Sequence, residues 1–173
     1  MIFSIRATIR ALLASEHRLS CSKALWTRLL RELHRRGGEQ HEAGAFLLGR
    51  RGTRRLETED VIFYDDLDPH AYDSGVCVLY GDSFAKLWKI CRERKLSVVA
   101  DIHTHPGRAR QSPSDRMHPM VANVGHVAII VPNFARKPVI DASLGVYEYR
   151  GGYEWEDFSG LSRGRYLYVG FWG

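Results

Sequence analysis

An α/β fold is predicted by three observations: short β-branched apolar runs alternate with segments of helical periodicity, turn residues separate them, and no repeat or low-complexity tract interrupts the pattern. In 173 residues such a pattern fills one compact domain, since a second hydrophobic core would be starved of residues. One domain over residues 1–173 is therefore expected.

From Ser22 to Arg36, Leu25, Leu29 and Leu33 recur at helical spacing with Trp26 and Leu30 beside them, and Gly37-Gly38 closes an amphipathic helix. Ala43 to Arg51 and Val61 to Tyr64 are short apolar runs either side of a turn at Gly52, which suggests a hairpin. Val76 to Tyr80 reads as another strand. Asp82 then stands as an N-cap for a helix whose Phe84, Leu87, Trp88 and Cys91 share a face. Ser97 to Thr104 is β-branched and stops at Pro106-Gly107. A helix is expected over Pro113 to Val124, a buried strand over His126 to Val131, and a last hairpin joining Ile140 to Tyr149 with Tyr153 to Trp155 across Gly151-Gly152. The aromatic C-terminus (Tyr166, Tyr168, Phe171, Trp172) is expected to add a strand.

Composition narrows the function classes. A hydrophobic fraction of 45% and a charged fraction of 26% are ordinary globular values. No apolar run approaches the roughly 20 residues of a spanning helix, so no membrane partner is expected. Arg6 and Arg10 interrupt the apolar stretch Met1 to Ala14, which reads as part of the mature fold rather than a secretory signal. Cys21, Cys77 and Cys91 are odd in number, far apart and without a CxxC pair. That argues against a disulfide framework and a thiolate zinc site, and it points to the reducing cytoplasm. A net charge of +5 invites a nucleic-acid partner, but the arginines are scattered over residues 28–36, 50–55 and 108–110 as solvated faces. Nucleic acid is not the expected ligand.

The chemistry concentrates after the Ser97–Thr104 run. His103 and His105 lie two apart on an extended segment, so their side chains leave one face, about 6 to 7 Å apart at Cα. Pro106 turns the chain, and Asp115 arrives in the first turn of the next helix. Two imidazoles and one carboxylate suit zinc and leave a fourth position for water, as catalytic sites do. Hydrolysis also needs a base, and Glu42, just before the apolar strand, is the candidate. Each residue has a plainer reading too. A His-x-His pair can be incidental; Ser112 as N-cap, Pro113 at N1 and Asp115 at N3 make a competent helix start without any metal; Glu42 can be a solvated residue before a strand. Asp101, on the histidines' face, is either a carboxylate orienting one of them or a satisfied structural Asp.

The combination of His103-Thr104-His105-Pro106-Gly107, Ser112-x-x-Asp115 and an upstream Glu42-Ala-Gly-Ala-Phe-Leu-Leu-Gly49 resembles the JAMM metallopeptidases, also called MPN+ or JAB, from about residue 40 to residue 132. The resemblance implies an α/β JAB/MPN fold related to cytidine deaminases, with a mixed central sheet flanked by helices. It implies that His103, His105 and Asp115 hold one zinc ion, that Glu42 activates water, and that Ser112 donates to the oxyanion. It further implies a peptidase or isopeptidase cutting after the C-terminal Gly of a ubiquitin-like protein or its conjugates. The compact size looks like the bacterial branch encoded beside E1-like and E2-like proteins in conjugation or antiphage systems. Deaminase chemistry itself is not expected, because no P-C-x-x-C follows. Two departures stand out. The loop from His105 to Ser112 is one residue shorter than the commonest spacing, and Ala45 falls where many members have Gly, with Gly44 beside it to compensate. The rival readings are a metal-free MPN-like scaffold and a basic nucleic-acid-binding module.

Overall fold

The computed structural model describes residues 17–53, 55–160 and 166–170. The expectations placed on Met1 to Ala14, Phe171 and Trp172 lie outside the described residues. In chain order the elements are β1 (Leu19–Ser22), α1 (Lys23–Gly37), β2 (Gly44–Arg51), β3 (Leu56–Phe63), α2 (Tyr64–Leu67), α3 (Gly81–Arg94), β4 (Ser97–Thr104), α4 (Pro113–Met117), β5 (Val127–Val131), β6 (Gly145–Gly151), β7 (Glu154–Asp157) and β8 (Leu167–Gly170). The strands form one mixed sheet in the order β7-β6-β5-β4-β2-β3-β1-β8. The α/β expectation holds. Among the described residues no helix is long and apolar enough to cross a membrane.

Helix α1 forms where its periodicity places it. The Ser22 side chain accepts from Leu25 N–H at 3.2 Å, and Gly38, at φ 55°, ends the helix in a left-handed turn. Trp26, Leu29 and Leu33 are buried, while His34, Arg35 and Arg36 occupy the last turn, where the helix end favours cations. At the centre of the sheet, β4 runs antiparallel to β2 and parallel to β5, so every residue from Val98 to Thr104 is buried. Both faces of β4 and β5 are covered, which is why Val98–Ala100 and Val127–Val131 read as apolar runs rather than alternations.

The β2–β3 hairpin carries a β-bulge next to Gly49, where a Cβ would meet the Glu57 carbonyl oxygen at 1.7 Å. Backbone, unlike a flexible side chain, cannot step aside. Gly49→Ala is expected to destabilise the fold by about 1–3 kcal/mol or more, read as a lower urea midpoint at unchanged slope.

Several elements depart from the sequence expectation for identifiable reasons. Residues 76–80 do not join the sheet. The sheet's edges are β7 and β8, and this segment, with Val78 N–H donating to Ala71 C=O, runs outside it and leaves Val76 and Tyr80 exposed. Asp82 is not the N-cap of α3; Tyr80 holds that position, and Asp82 sits in the first turn where its charge meets the helix's positive end. On α3, Leu87 and Cys91 are buried but Trp88 is exposed. Helix α4 stops at Met117 instead of Val124, because Pro119 disfavours helical backbone at His118, which adopts φ −128° and ψ 65°. Strand β3 starts at Leu56, earlier than its apolar end suggests, and the last hairpin starts at Gly145 rather than Ile140. The C-terminal strand forms as β8, paired parallel with β1, a four-residue strand too short for its pattern to announce.

Candidate metal centre

The register of the central strands assembles the site. Gly44 pairs with His103 and Ala45 with Ile102 across the antiparallel β2–β4 ladder. Just past the end of β2, Ala43 N–H donates to Thr104 Oγ1 at 2.9 Å and Thr104 N–H donates to Ala43 C=O at 2.9 Å. Continuing that register sets Glu42 opposite His105. The observed contact agrees: Glu42 Oε1 lies 3.7 Å from His105 Nε2. His103 and His105 point to one side of β4, with their Nε2 atoms 3.0 Å apart. Asp115 closes the group, Oδ1 at 3.6 Å from His103 Nε2 and Oδ2 at 3.3 Å from His105 Nε2. All four side chains named by sequence meet.

These separations fit a small cation. Ligand bonds of about 2.0–2.2 Å at tetrahedral angles put donor atoms about 3.3–3.5 Å apart, and the three distances among His103, His105 and Asp115 bracket that range. Nitrogen donors with a carboxylate are also a zinc-type set. Glu42, His103 and His105 can likewise each offer a donor atom within 4.8 Å of the others. Distance alone therefore leaves two carboxylates competing for one role.

Electrostatics separates them. Burial alone would raise the Asp115 pKa, but the His105 hydrogen bond, the His103 charge and the Ser112 N–H outweigh it and hold the carboxyl at about 2. Burial dominates at Glu42, and its pKa is raised despite the nearby imidazoles. One carboxylate is held as an anion and the other is primed to accept a proton. For Asp115 the linkage sign is that of a depressed acid: its stabilising contribution is complete above 3.8 and is lost as pH falls through about 2. Asp115→Asn is thus expected to flatten the acid limb of the metal-free protein's stability curve in that window, as measured by urea midpoints.

Comparison with known proteins places the chain. The family profile for prokaryotic homologs of the JAB domain (Prok-JAB) matches residues 22–142, which include all four clustered side chains. The chain belongs to the prokaryotic JAB family. It is accordingly a JAMM/MPN+ family member. The probable metalloprotease y4jG of Sinorhizobium fredii is 33% identical over 84 residues, which cover 48% of this chain and 52% of that protein. The chain thus spans about half the length of the curated relative it matches. Among solved structures, protein DSY2949 from Desulfitobacterium hafniense matches with a TM-score of 0.62 at 16% identity, over 87% of this chain and 92% of that one, a likeness of fold. A protein from Salinibacter ruber matches with a TM-score of 0.49 at 18% identity, over 78% and 87% of the two chains.

In this JAB chain the short loop after His105 still delivers Asp115. Tyr147 Oη donates to Ala109 C=O at 3.2 Å, and Trp155 Nε1 donates to Arg116 C=O at 3.2 Å, tying loop and α4 to the sheet edge. Ser112 N–H donates to Asp115 Oδ2 at 2.6 Å while Ser112 Oγ accepts from Asp115 N–H at 3.1 Å, the capping box read from sequence. The structural and metal readings of Asp115 therefore coexist. Ala45 is fully buried on β2. The close approach falls instead at Gly44, where a Cβ would meet the Tyr64 ring at 2.2 Å.

Sequence reasoning missed the turn behind His105. Asn133, Phe134 and Ala135 have φ of 53°, 51° and 56°, a left-handed excursion that costs about 1–2 kcal/mol per residue. In exchange, Phe134 N–H donates to His105 C=O at 2.8 Å and Asn133 N–H to Gly107 C=O at 3.0 Å, bracing the strand end. Pro132-Asn133 is a local turn signal, but nothing in the composition announces positive φ at Phe134 and Ala135. His126, buried against Asp101, was missed as well. Beside the cluster a cavity of about 540 Å³ opens between Cys77, Leu79 and Phe84 on one side and Ser112, Met120 and Trp155 on the other.

Proposed function

We propose that this chain is a zinc-dependent peptidase of the JAMM type, in which His103, His105 and Asp115 hold one zinc ion, Glu42 is the general base and Ser112 stabilises the oxyanion. The observation that carries the reading is the convergence of two carboxylates on one histidine pair: the His103 and His105 Nε2 atoms lie 3.0 Å apart, with Asp115 at 3.3 Å and Glu42 at 3.7 Å from His105 Nε2. Zinc at that position supplies Lewis acidity, polarising a carbonyl and making water easier to deprotonate.

The chain's own groups do the rest. His103, His105 and the Asp115 anion offer three donors and keep their positions through β4 and the capping box. Glu42 takes the proton from the attacking water as its oxygen bonds to the scissile carbonyl carbon. Ser112 Oγ, already accepting from Asp115 N–H, donates its own proton towards the carbonyl oxygen as charge builds there. Glu42 then passes its proton to the leaving nitrogen, the C–N bond breaks, and an acid and an amine result.

For substrate, the reading extends to the bond after the C-terminal Gly of a ubiquitin-like protein, either in a precursor or in a conjugate. The walled cavity beside the cluster suits an extended tail with small side chains at the cut. E1-like and E2-like partners, a role in bacterial conjugation or antiphage defence, cytoplasmic location, one domain over the whole chain and the kinship of its fold to cytidine deaminases belong to the same proposal. Against a nucleic-acid role stand ion pairs that engage several of the clustered arginines: Arg35 with Glu32, Arg36 with Asp65 and Asp66, Arg50 with Glu59.

The test is a set of linear ubiquitin-like fusions incubated with purified protein. Cleavage after the last Gly is expected, lost on treatment with a zinc chelator, restored by zinc, and suppressed when that Gly is replaced by Val. Cleavage that survives chelation overturns the metal mechanism, and indifference to the Gly overturns the substrate assignment.

A further inference from the structure

We infer that His126 is a positioning residue of the metal centre: acting through the buried Asp101 carboxylate, it sets the orientation of the His103 imidazole. The inference rests on the reading of His103 as a metal ligand.

Alternation along β4 puts Asp101 on the face of His103 and His105, at 2% exposure. A carboxylate so buried must be paired. His126 enters from the start of β5, the parallel neighbour in which Ala128 pairs with Asp101. Its Nε2 lies 2.6 Å from Asp101 Oδ1, and the ring is fully buried. Among the described residues this is the one hydrogen bond of the His126 side chain, since Nδ1 has no partner. A polar ring placed just before an apolar strand therefore has the carboxylate as its hydrogen-bonding partner, with Nε2–H donating to Asp101 Oδ1.

The other oxygen, Oδ2, receives the Tyr64 hydroxyl at 3.5 Å and faces His103 Nδ1 at 3.8 Å. With Oδ1 held by His126 and Oδ2 steadied by Tyr64, the carboxylate presents a fixed acceptor to His103. His103 Nδ1 is itself buried and lacks any closer partner among the described residues. A proton on Nδ1 leaves the Nε2 lone pair directed at the position shared with His105 Nε2 and Asp115 Oδ1. Carboxylates placed behind ligand imidazoles fix both tautomer and ring orientation. Here the chain has three members, His126, Asp101 and His103. Asp101 and His126 are 25 positions apart in sequence and are brought together by the parallel pairing of β4 and β5.

Zinc affinity, measured by competition with a chromophoric chelator on metal-stripped full-length protein, tests this apart from activity. Asp101→Asn is expected to bind zinc about 10- to 100-fold more weakly. His126→Leu should lose about tenfold, whereas His126→Gln, whose amide N–H reaches towards the same oxygen, should stay within about threefold of the parent. The double variant Asp101→Asn/His126→Leu should bind no more weakly than Asp101→Asn alone. Metal-free melting temperatures report folding separately. If His126→Leu fails to fold because it strands a buried charge, the uncharged double variant carries the test. Parental affinity in folded His126→Leu, or a further tenfold loss in the double variant, overturns the inference. A wild-type chain that takes up no zinc overturns the proposed function instead.

Discussion

Glu42→Gln is expected to lower kcat by about 10²- to 10⁴-fold while leaving zinc content and KM essentially unchanged. The substitution keeps the side chain's size and removes its capacity to carry a proton. Its backbone anchor survives, because Glu42 N–H donates to Gly75 C=O at 3.1 Å and the Ala43–Thr104 bonds fix the register on its other side. In the metal-free chain burial raises the Glu42 pKa; the rate should climb with pH as this carboxyl ionises, and Glu42→Gln should erase that limb. A variant that loses zinc along with activity would instead make Glu42 a ligand, the alternative its 4.8 Å grouping with both histidines keeps geometrically open. Zinc analysis alongside pH–rate profiles of both proteins separates the outcomes.

His105→Ala is expected to abolish both turnover and the coupling of stability to zinc. His105 is the hub of the cluster, with His103 at 3.0 Å, Asp115 at 3.3 Å and Glu42 at 3.7 Å from its Nε2. Without it the proposed ligand set of two imidazoles and one carboxylate is reduced to His103 and Asp115. Binding confined to the folded state stabilises by about 4 kcal/mol when free zinc is a thousandfold above Kd. Thermal denaturation of the parent should therefore shift upward with zinc, and the variant's should not move. Acidification should weaken the parent's shift as well, because His103, whose pKa burial would lower but Asp101 and Asp115 raise, must lose a proton to bind. A zinc-dependent shift of parental size in His105→Ala would remove the histidine pair from the metal account.

The sequence made the site legible because its four residues carry distinctive chemistry at fixed spacing on short, strongly patterned elements. His103 and His105 inherit a common face from the two-residue period of β4, and Ser112-Pro113-x-Asp115 announces its own helix start. Glu42 required more, since only the Gly44–His103 register brings it opposite His105. What stayed hidden depends on tertiary context. β1 acquires its identity from partners 36 or more residues away, Leu56 and Leu167 among them. Residues 76–80 have strand composition but pair with neither edge of the sheet, β7 or β8, and His118-Pro119 cuts short a helix that periodicity alone extends. The left-handed turn at Asn133–Ala135 begins on Asn133, a residue that tolerates it, but continues through Phe134 and Ala135, which do not favour it, held by bonds to His105 and Gly107.

The assignment of the two carboxylates is most directly tested by anomalous diffraction at the zinc edge from crystals of the zinc-loaded chain. One ion is predicted at about 2.0–2.2 Å from His103 Nε2, His105 Nε2 and one Asp115 oxygen, with Glu42 near but unbonded. An ion bonded to Glu42, with neither Asp115 oxygen within bonding distance of it, would contradict the account.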